Sequence, residues 1–350
     1  MNPDTSGQAA GPAGARQRLV FRRIVLFSVV ITLCLVMLGA WVRLTDAGLG
    51  CPDWPGCYGK LSPAHASEAI SQAVEEQGGE HGPVSMGKAW REMVHRYLAS
   101  GLGLFIIVIA VLATRWRVAL RQSPVLPWAL VGLVILQGLF GKWTVTLLLK
   151  PAIVTGHLMG GMLLFALLVW LWQRQLPDPD PVDAEPLAGL RGAAIVGLVL
   201  VAVQIFLGGW TSTNYAALVC PDLPTCQGRW WPETDFGNAF HMLRELGQTA
   251  SGDPLTMQAL TAIHLSHRIV AVIVALYVTW LALRAMSTDG AKGVGRALLA
   301  MLVVQFCLGL ANVAFGLPLS LAVAHNGGAA LLLALVTVLN YRTVRAGYRI

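Results

Sequence analysis

Apolar residues in this chain come in long runs, and the polar residues gather in the stretches between them. Eight runs approach the ~20 residues that a helix needs to cross the hydrocarbon core of a bilayer. They predict helices over 22–43, 93–114, 124–142, 151–173, 191–212, 260–284, 296–315 and 318–341. The first run is bracketed by Arg22, Arg23 and Arg43. It does not read as a signal peptide, because no small-residue cleavage motif follows and its pattern is reused later in the chain. Gly48-Leu49-Gly50-Cys51 is a poor lipoprotein signal, since Arg43 and Asp46 separate it from the apolar run.

The reuse is extensive. Leu38-Gly39-Ala40-Trp41 followed by Cys51-Pro52-Asp53-Trp54-Pro55-Gly56-Cys57 returns as Leu207-Gly208-Gly209-Trp210 followed by Cys220-Pro221-Asp222-Leu223-Pro224-Thr225-Cys226, at an offset of 169. His95-Arg96 returns as His267-Arg268 at 172, and His157 as His325 at 168. The expected fold is an all-α membrane protein of eight transmembrane helices, arranged as two parallel-repeat four-helix bundles. Four spans per half is an even number, so both halves share one orientation and are related by an axis along the membrane normal. The expected divisions are a cytoplasmic tail over 1–20, a first half over 21–175, a cytoplasmic linker over 176–190, a second half over 191–342 and a tail over 343–350.

Composition supports the membrane reading and narrows the chemistry. Hydrophobic residues make up 55% and charged residues 12%, with mean hydropathy +0.62; a soluble chain carries roughly twice that charge. The net charge of +7 therefore speaks for membrane topology and not for nucleic acid. Lys and Arg favour the cytoplasmic side. Arg16, Arg18, Arg22 and Arg23, then Arg115, Arg117 and Arg121, then Arg284, Lys292 and Arg296, then Arg342, Arg345 and Arg349 all fall on one side, which places both termini in the cytoplasm. The linker from Pro177 to Pro186 is acidic and casts a weaker vote. The cysteine loops then lie outside, where Cys51–Cys57 and Cys220–Cys226 can form tight disulfides. Cys34 and Cys307, inside apolar runs, read as small packing residues. Trp41, Trp90, Trp143 and Trp210 mark the outer interface.

Of eight histidines, His65, His81 and His241 lie in polar outer loops and read as solvated surface. His95, His157, His267 and His325 instead begin the even-numbered helices at similar depth. Imidazoles in an apolar bundle are functional candidates, and facing helices commonly build cofactor sites. We pair His95 with His157 and His267 with His325 as axial ligands of haem iron. Gly156, Gly160 and Gly161 beside His157, and Gly327 and Gly328 beside His325, serve either close helix packing or clearance for a flat macrocycle. Arg96 and Arg268 are candidates for porphyrin propionates. Copper or zinc fits less well, because no carboxylate or thiolate completes a closed site in both halves.

The halves also differ. Glu92, three residues before His95 and on the same helix face, becomes His264 in the second half; Arg43 becomes Ser212 and Asp46 becomes Tyr215. The extra ionisable groups suggest that the first half holds a reacting haem and the second a resident one. Glu92 is the candidate base or electrostatic stabiliser, with simple neutralisation of Arg96 or Arg91 as its plainer role. His264 reads as either a second ligand in that half or a hydrogen-bond partner, and we prefer the partner because the repeat aligns His267 with His95.

Val42-Arg43-Leu44-Thr45 through Cys57-Tyr58-Gly59, Glu92-Met93-Val94-His95-Arg96 and His157 resemble the haem A synthase family, and the second half resembles it again through Cys220–Cys226, His267-Arg268 and Ala324-His325-Asn326-Gly327-Gly328. The resemblance covers about 20–342. It implies an inner-membrane enzyme that oxidises the C8 methyl of haem O, through an alcohol, to the formyl group of haem A for terminal oxidases. It further implies haem b on His267 and His325, substrate haem O on His95 and His157, and a catalytic carboxylate at Glu92. In the family the first cysteine pair, matched by Cys51 and Cys57, is linked to reaction or haem transfer. Asn326 stands where many members have glutamine, and His264 departs from the pattern. Implied partners are the lipid bilayer, a haem O synthase and terminal-oxidase assembly factors; small-residue helix faces permit a homo-oligomer. The rival readings are a non-enzymatic bis-histidine cytochrome b, or a haem chaperone.

Overall fold

The computed structural model describes residues 12–79, 82–176 and 184–348. His81, Arg349 and parts of the expected tails and linker fall outside the described residues. Eight helices are long and apolar enough to cross a membrane. They are α1 (Pro12–Leu44), α2 (Met86–Arg115), α3 (Val125–Thr146), α4 (Pro151–Gln173), α5 (Arg191–Thr213), α6 (Met257–Met286), α7 (Lys292–Ala314) and α8 (Leu319–Gly347). The chain is a multi-pass, all-helical membrane protein.

The spans match the apolar runs, but several ends differ. α2 starts at Met86 and not near 93, because Ser85 caps it by accepting from Lys88 N at 3.2 Å. α6 starts at Met257, capped by Thr256 accepting from Ala259 N at 3.2 Å. A side-chain cap satisfies amides that a helix end leaves open, so these helices extend past the membrane into polar sequence. The four histidines consequently do not begin their helices. Nine residues of helix precede His95, six precede His157, ten precede His267 and six precede His325.

Helices α1 to α4 touch in a ring: α1 with α2, α2 with α3, α3 with α4, and α4 with α1. Helices α5 to α8 do the same. Within each ring the backbones of the diagonal pair of even helices, α2 with α4 and α6 with α8, stay more than 8 Å apart, Cα to Cα, among the described residues. The two sets meet through α1 with α8, α4 with α5, and α4 with α8.

The dry core of each ring lies toward the end that carries the chain termini. In the first it comprises Phe21 and Val25 of α1, Leu102, Ile106 and Ile109 of α2, Leu130 of α3, and Leu164, Leu168 and Leu171 of α4. In the second, Val278 and Leu281 of α6, Leu298 of α7 and Val336 and Leu339 of α8 are the matching residues. All four histidines are at the opposite end, nearer the long loops 45–85 and 214–256, where the surrounding helix faces are only half-buried. Hydrophobic burial thus fixes one end of each ring, and the helices are less buried at the histidine end.

Two expectations are corrected. Trp210 is fully buried and donates from Nε1 to Ala239 O at 2.9 Å, so it anchors the second long loop and does not mark the membrane interface. Cys34 and Cys307 are exposed on the helix surface, where they face the surroundings and not the packed interior. An apolar run in a membrane helix does not reveal which face is lipid-exposed, because lipid tolerates the same residues as the core.

Candidate functional site

Each of the four histidines lies against a glycine of the preceding helix. A Cβ built on Gly39 of α1 would stand 3.2 Å from His95 Cε1, and one on Gly208 of α5 would stand 3.1 Å from His267 Cε1. On Gly309 of α7 it would stand 3.2 Å from His325 Cε1, and on Gly141 of α3 it would stand 3.6 Å from His157 Cε1. A missing side chain is what lets an imidazole rest on the neighbouring backbone. Gly39 and Gly208 belong to the repeated sequence motif; Gly141 and Gly309 were not singled out from it.

The histidines of each ring come from its diagonal helices: His95 on α2 with His157 on α4, and His267 on α6 with His325 on α8. Each pair is nonetheless close enough to interact electrostatically. All four rings are half-buried. Gly160 and Gly328, each three residues past its histidine, form notches filled by Gln137 and Gln305: a Cβ on Gly160 would fall 1.8 Å from Gln137 Nε2, and one on Gly328 would fall 2.2 Å from Gln305 Oε1. Of the small residues expected to give clearance, these two, with Gly156 against Phe140 and Gly327 against Met37, accommodate side chains of neighbouring helices.

Above the histidines, each disulfide loop is clamped by an arginine. The Cys51–Cys57 and Cys220–Cys226 sulfurs lie 2.05 and 1.92 Å apart, and all four cysteines are buried. Asp53 accepts from Tyr58 N at 2.6 Å and Gly59 N at 2.9 Å, while Asp222 accepts from Gln227 N at 2.6 Å and Gly228 N at 3.0 Å. The Thr225 hydroxyl, followed by the Gly228 and Gln227 amides, holds the Asp222 carboxyl down to about 2. Arg96 donates to Asp53 O at 2.8 Å and to Gly56 O; Arg268 donates to Asp222 O and Thr225 O at 2.9 Å each and to Cys220 O at 2.6 Å. These guanidiniums, expected to meet propionates, direct their donors chiefly at loop carbonyls.

Glu92 and His264 occupy matching places beneath the two arginines. Glu92 is buried, pairs with Arg96 and accepts from Cys51 N at 2.9 Å. His264 is also buried, and its Nε2 accepts from Arg268 Nε at 3.2 Å. His264 is therefore a hydrogen-bond partner in the described contacts, as its sequence position suggested. Gly50 brings the first loop onto α2, since a Cβ there would lie 2.7 Å from the Lys88 carbonyl carbon.

The residues that differ between the halves meet one another. Arg43 donates to Ser212 O at 2.8 Å, stacks 4.0 Å from the centre of the Tyr215 ring, and lies 3.4 Å from Asp46. Tyr215 donates to Asp46 Oδ1 at 2.8 Å, and burial is the main cause raising its hydroxyl pKa. His65 and His241 are exposed, as expected of solvated surface.

The donor groups suit haem. Nδ1 of His95, His157 and His325, Nε2 of Gln137, and Oε1 of Gln204 and Gln305 are buried polar atoms without partners. Each such atom costs about 1–3 kcal/mol when nothing engages it. Their concentration around paired imidazoles fits a ligand with two axial positions, and the separation of the diagonal backbones fits a planar one.

Comparison with known proteins gives a consistent result. Residues 22–337 match the COX15-CtaA family, described as cytochrome oxidase assembly protein. A Shewanella oneidensis protein named Heme A synthase is 40% identical over 314 residues, covering 90% of this chain and 94% of its own length. Proteins of the same name from Caulobacter vibrioides, 30% identical over 338 residues, and Rhizorhabdus wittichii, 29% identical over 331 residues, cover 89% and 88% of this chain and 92% and 90% of their own lengths.

Proposed function

The chain belongs to the COX15-CtaA family of cytochrome oxidase assembly proteins, and we propose that it is a haem A synthase, an oxidoreductase that converts the C8 methyl of haem O to a formyl group through an alcohol. What supports this reading is the double set of imidazole pairs, each ring resting on a glycine of the preceding helix and each pair carried by the diagonal helices of its ring. In this reading His95 and His157 hold the iron of substrate haem O, and His267 and His325 hold haem b. Residues 21–175 and 191–342 are the two repeat-related halves.

Bound haem b supplies a one-electron redox centre next to the substrate half. His95 and His157 orient the substrate by fixing its plane and centre. Glu92, one turn before His95 on the same face, has one oxygen on Cys51 N–H and the other on Arg96. A carboxylate held in place beforehand can offset positive charge developing at the methyl carbon without reorganising. Arg96 and Arg268 keep the two disulfide loops seated over the histidine ends of the helices and restrict water there. Each oxidation would pass two electrons to an acceptor outside this chain, and the aldehyde hydrate left by the second would lose water to give the formyl product.

The topology follows the distribution of Lys and Arg: an inner-membrane protein with both termini in the cytoplasm and both disulfides outside. A haem O synthase and terminal-oxidase assembly factors are the proposed partners upstream and downstream. The test is expression with a source of haem O, followed by mass analysis of extracted porphyrins. Haem A or its hydroxylated precursor is expected, at levels that depend on Glu92 and all four histidines. Extraction of haem b alone would overturn the proposal in favour of an electron-carrying cytochrome.

A further inference from the structure

The two histidine pairs are not equally held. Four residues before each histidine-facing glycine, on the same helix, stand Gln137, Gln204 and Gln305; the fourth position, before Gly39, is Leu35. Three of the four helices thus carry Gln-x-x-x-Gly, and the exception serves His95. In the second ring both glutamines engage their histidines. Gln204 Nε2 lies 3.0 Å from His267 Nδ1 and donates to His267 O at 3.1 Å. Gln305 Nε2 donates to His325 O at 3.0 Å and lies 3.5 Å from His325 Nε2, while His325 Nδ1 has no partner. In the first ring, Leu35 offers no polar atom, Gln137 Nε2 has no partner, and Nδ1 of both His95 and His157 is unpartnered.

We infer that Gln204 and Gln305 are positioning residues that steady His267 and His325 as permanent haem ligands, Gln204 through ring and main chain and Gln305 through the main chain, while Leu35 and Gln137, whose Nε2 has no partner, leave the first pair free to exchange its haem. The inference rests on the reading that both pairs bind haem. A carboxamide suits the task because it can meet either tautomer of an imidazole: Nε2–H toward a bare Nδ1, or Oε1 toward Nδ1–H after a half-turn. The half-turn exchanges the Nε2 donation to His267 O for an Nδ1–H···Oε1 bond to the ring. A ring tied in place before the ligand arrives loses less freedom on binding and releases more slowly. Groups that orient a metal-bound histidine in this way are worth about 10–100-fold in metal affinity. A substrate site has the opposite requirement, since product must leave after every turnover.

The test uses the full-length protein purified with its haems, and follows haem loss to excess apomyoglobin together with the low-spin ferric electron paramagnetic resonance signal of each site. Gln204→Leu is expected to speed loss of haem b by about 10–100-fold and to shift the g values of the second site, with Gln204→Glu restoring much of the retention. Leu35→Gln is expected to slow loss of haem from the first site and to move its signal toward that of the second. Slower loss is a gain that misfolding does not produce, so this variant stands even if Gln204→Leu folds poorly. Unchanged loss rates and spectra in both Gln204→Leu and Leu35→Gln would overturn the inference while leaving the functional proposal intact. Wild-type protein with no bis-histidine signal from either site would overturn the functional proposal itself.

Discussion

Alanine at Gly208 tests the histidine cradle directly. Its methyl would stand 3.1 Å from His267 Cε1 and 3.7 Å from both ring nitrogens. Carbon atoms in good contact sit about 3.5–4.0 Å apart, so the ring has to retreat by about half an ångström. Gln204 holds the ring and the main chain of His267 on the same helix interface, which restricts that retreat. Inserting a methyl where it does not fit costs about 1–3 kcal/mol, equivalent to about 5- to 150-fold in haem affinity. The same substitution at Gly141 meets His157 Cε1 at 3.6 Å, an ordinary contact, and is expected to be nearly silent. Haem-to-protein ratio after purification, measured as the pyridine haemochrome, separates the two. Gly208→Ala is expected to lose haem b and Gly141→Ala to retain both haems, with thermal unfolding in detergent reporting on the fold. Equal occupancy in the two variants, or the reverse order, would refute the idea that these glycines exist to seat the imidazoles.

Four other outcomes are expected. Glu92→Gln keeps an acceptor for Cys51 N–H but leaves the Arg96 guanidinium without its carboxylate; it should lower stability by about 3 kcal/mol and accumulate haem O without haem A in extracted porphyrin, while Glu92→Asp should retain partial conversion. The Asp222 carboxyl, held at about 2 against an ordinary value near 3.9, favours the folded loop while it is ionised; protection of Cys220–Cys226 from an acid-stable phosphine should therefore persist down to about pH 4 and fall between about pH 4 and 2, and Asp222→Asn should lower that protection at neutral pH. Leu148 adopts φ 49° at the turn into α4, where the matching residue at the turn into α8 is Gly316 at φ 67°; because Leu148 is largely exposed, Leu148→Gly should raise unfolding free energy by about 1 kcal/mol by relieving left-handed strain. Ser212→Arg should lower the melting temperature by setting a second guanidinium beside Arg43, and adding Arg43→Ser should restore it.

The span count was legible because twenty apolar residues are needed whatever the packing, and the repeat was legible because cysteine, histidine and tryptophan mark its register. The disulfide pairs followed from the same register. Helix starts were less legible: the extra turns of α2 and α6 are polar, and only the caps at Ser85 and Thr256 reveal them. Gly141, Gly309, Gln204 and Gln305 were missed because glycine and glutamine in an apolar run carry no signal singly. The shared Gln-x-x-x-Gly spacing could have found three of the four cradles. Arg96 and Arg268 were assigned from charge alone, and charge does not tell a bound anion from the backbone carbonyls of a folded loop.

The contacts of Arg43 and Asp46 alter the meaning of the differences between the halves. Positions equivalent in two copies touch each other only beside the axis that relates the copies. Arg43 touches Ser212 and Asp46 touches Tyr215, each across an offset of 169, and α4 likewise packs on its counterpart α8. Had both copies kept the same residues there, arginine would face arginine and aspartate would face aspartate at hydrogen-bonding range. Like charges at such separations repel strongly where solvent screening is weak. Divergence at these positions avoids that repulsion if the halves are repeats, whatever chemistry either half performs. The difference between Glu92 and His264 is of another kind, because each lies within its own ring beneath its own arginine, and no contact with the other copy accounts for it. The proposed asymmetry of function therefore rests on Glu92 and on the uneven support of the histidines, and not on the charged cluster between the halves.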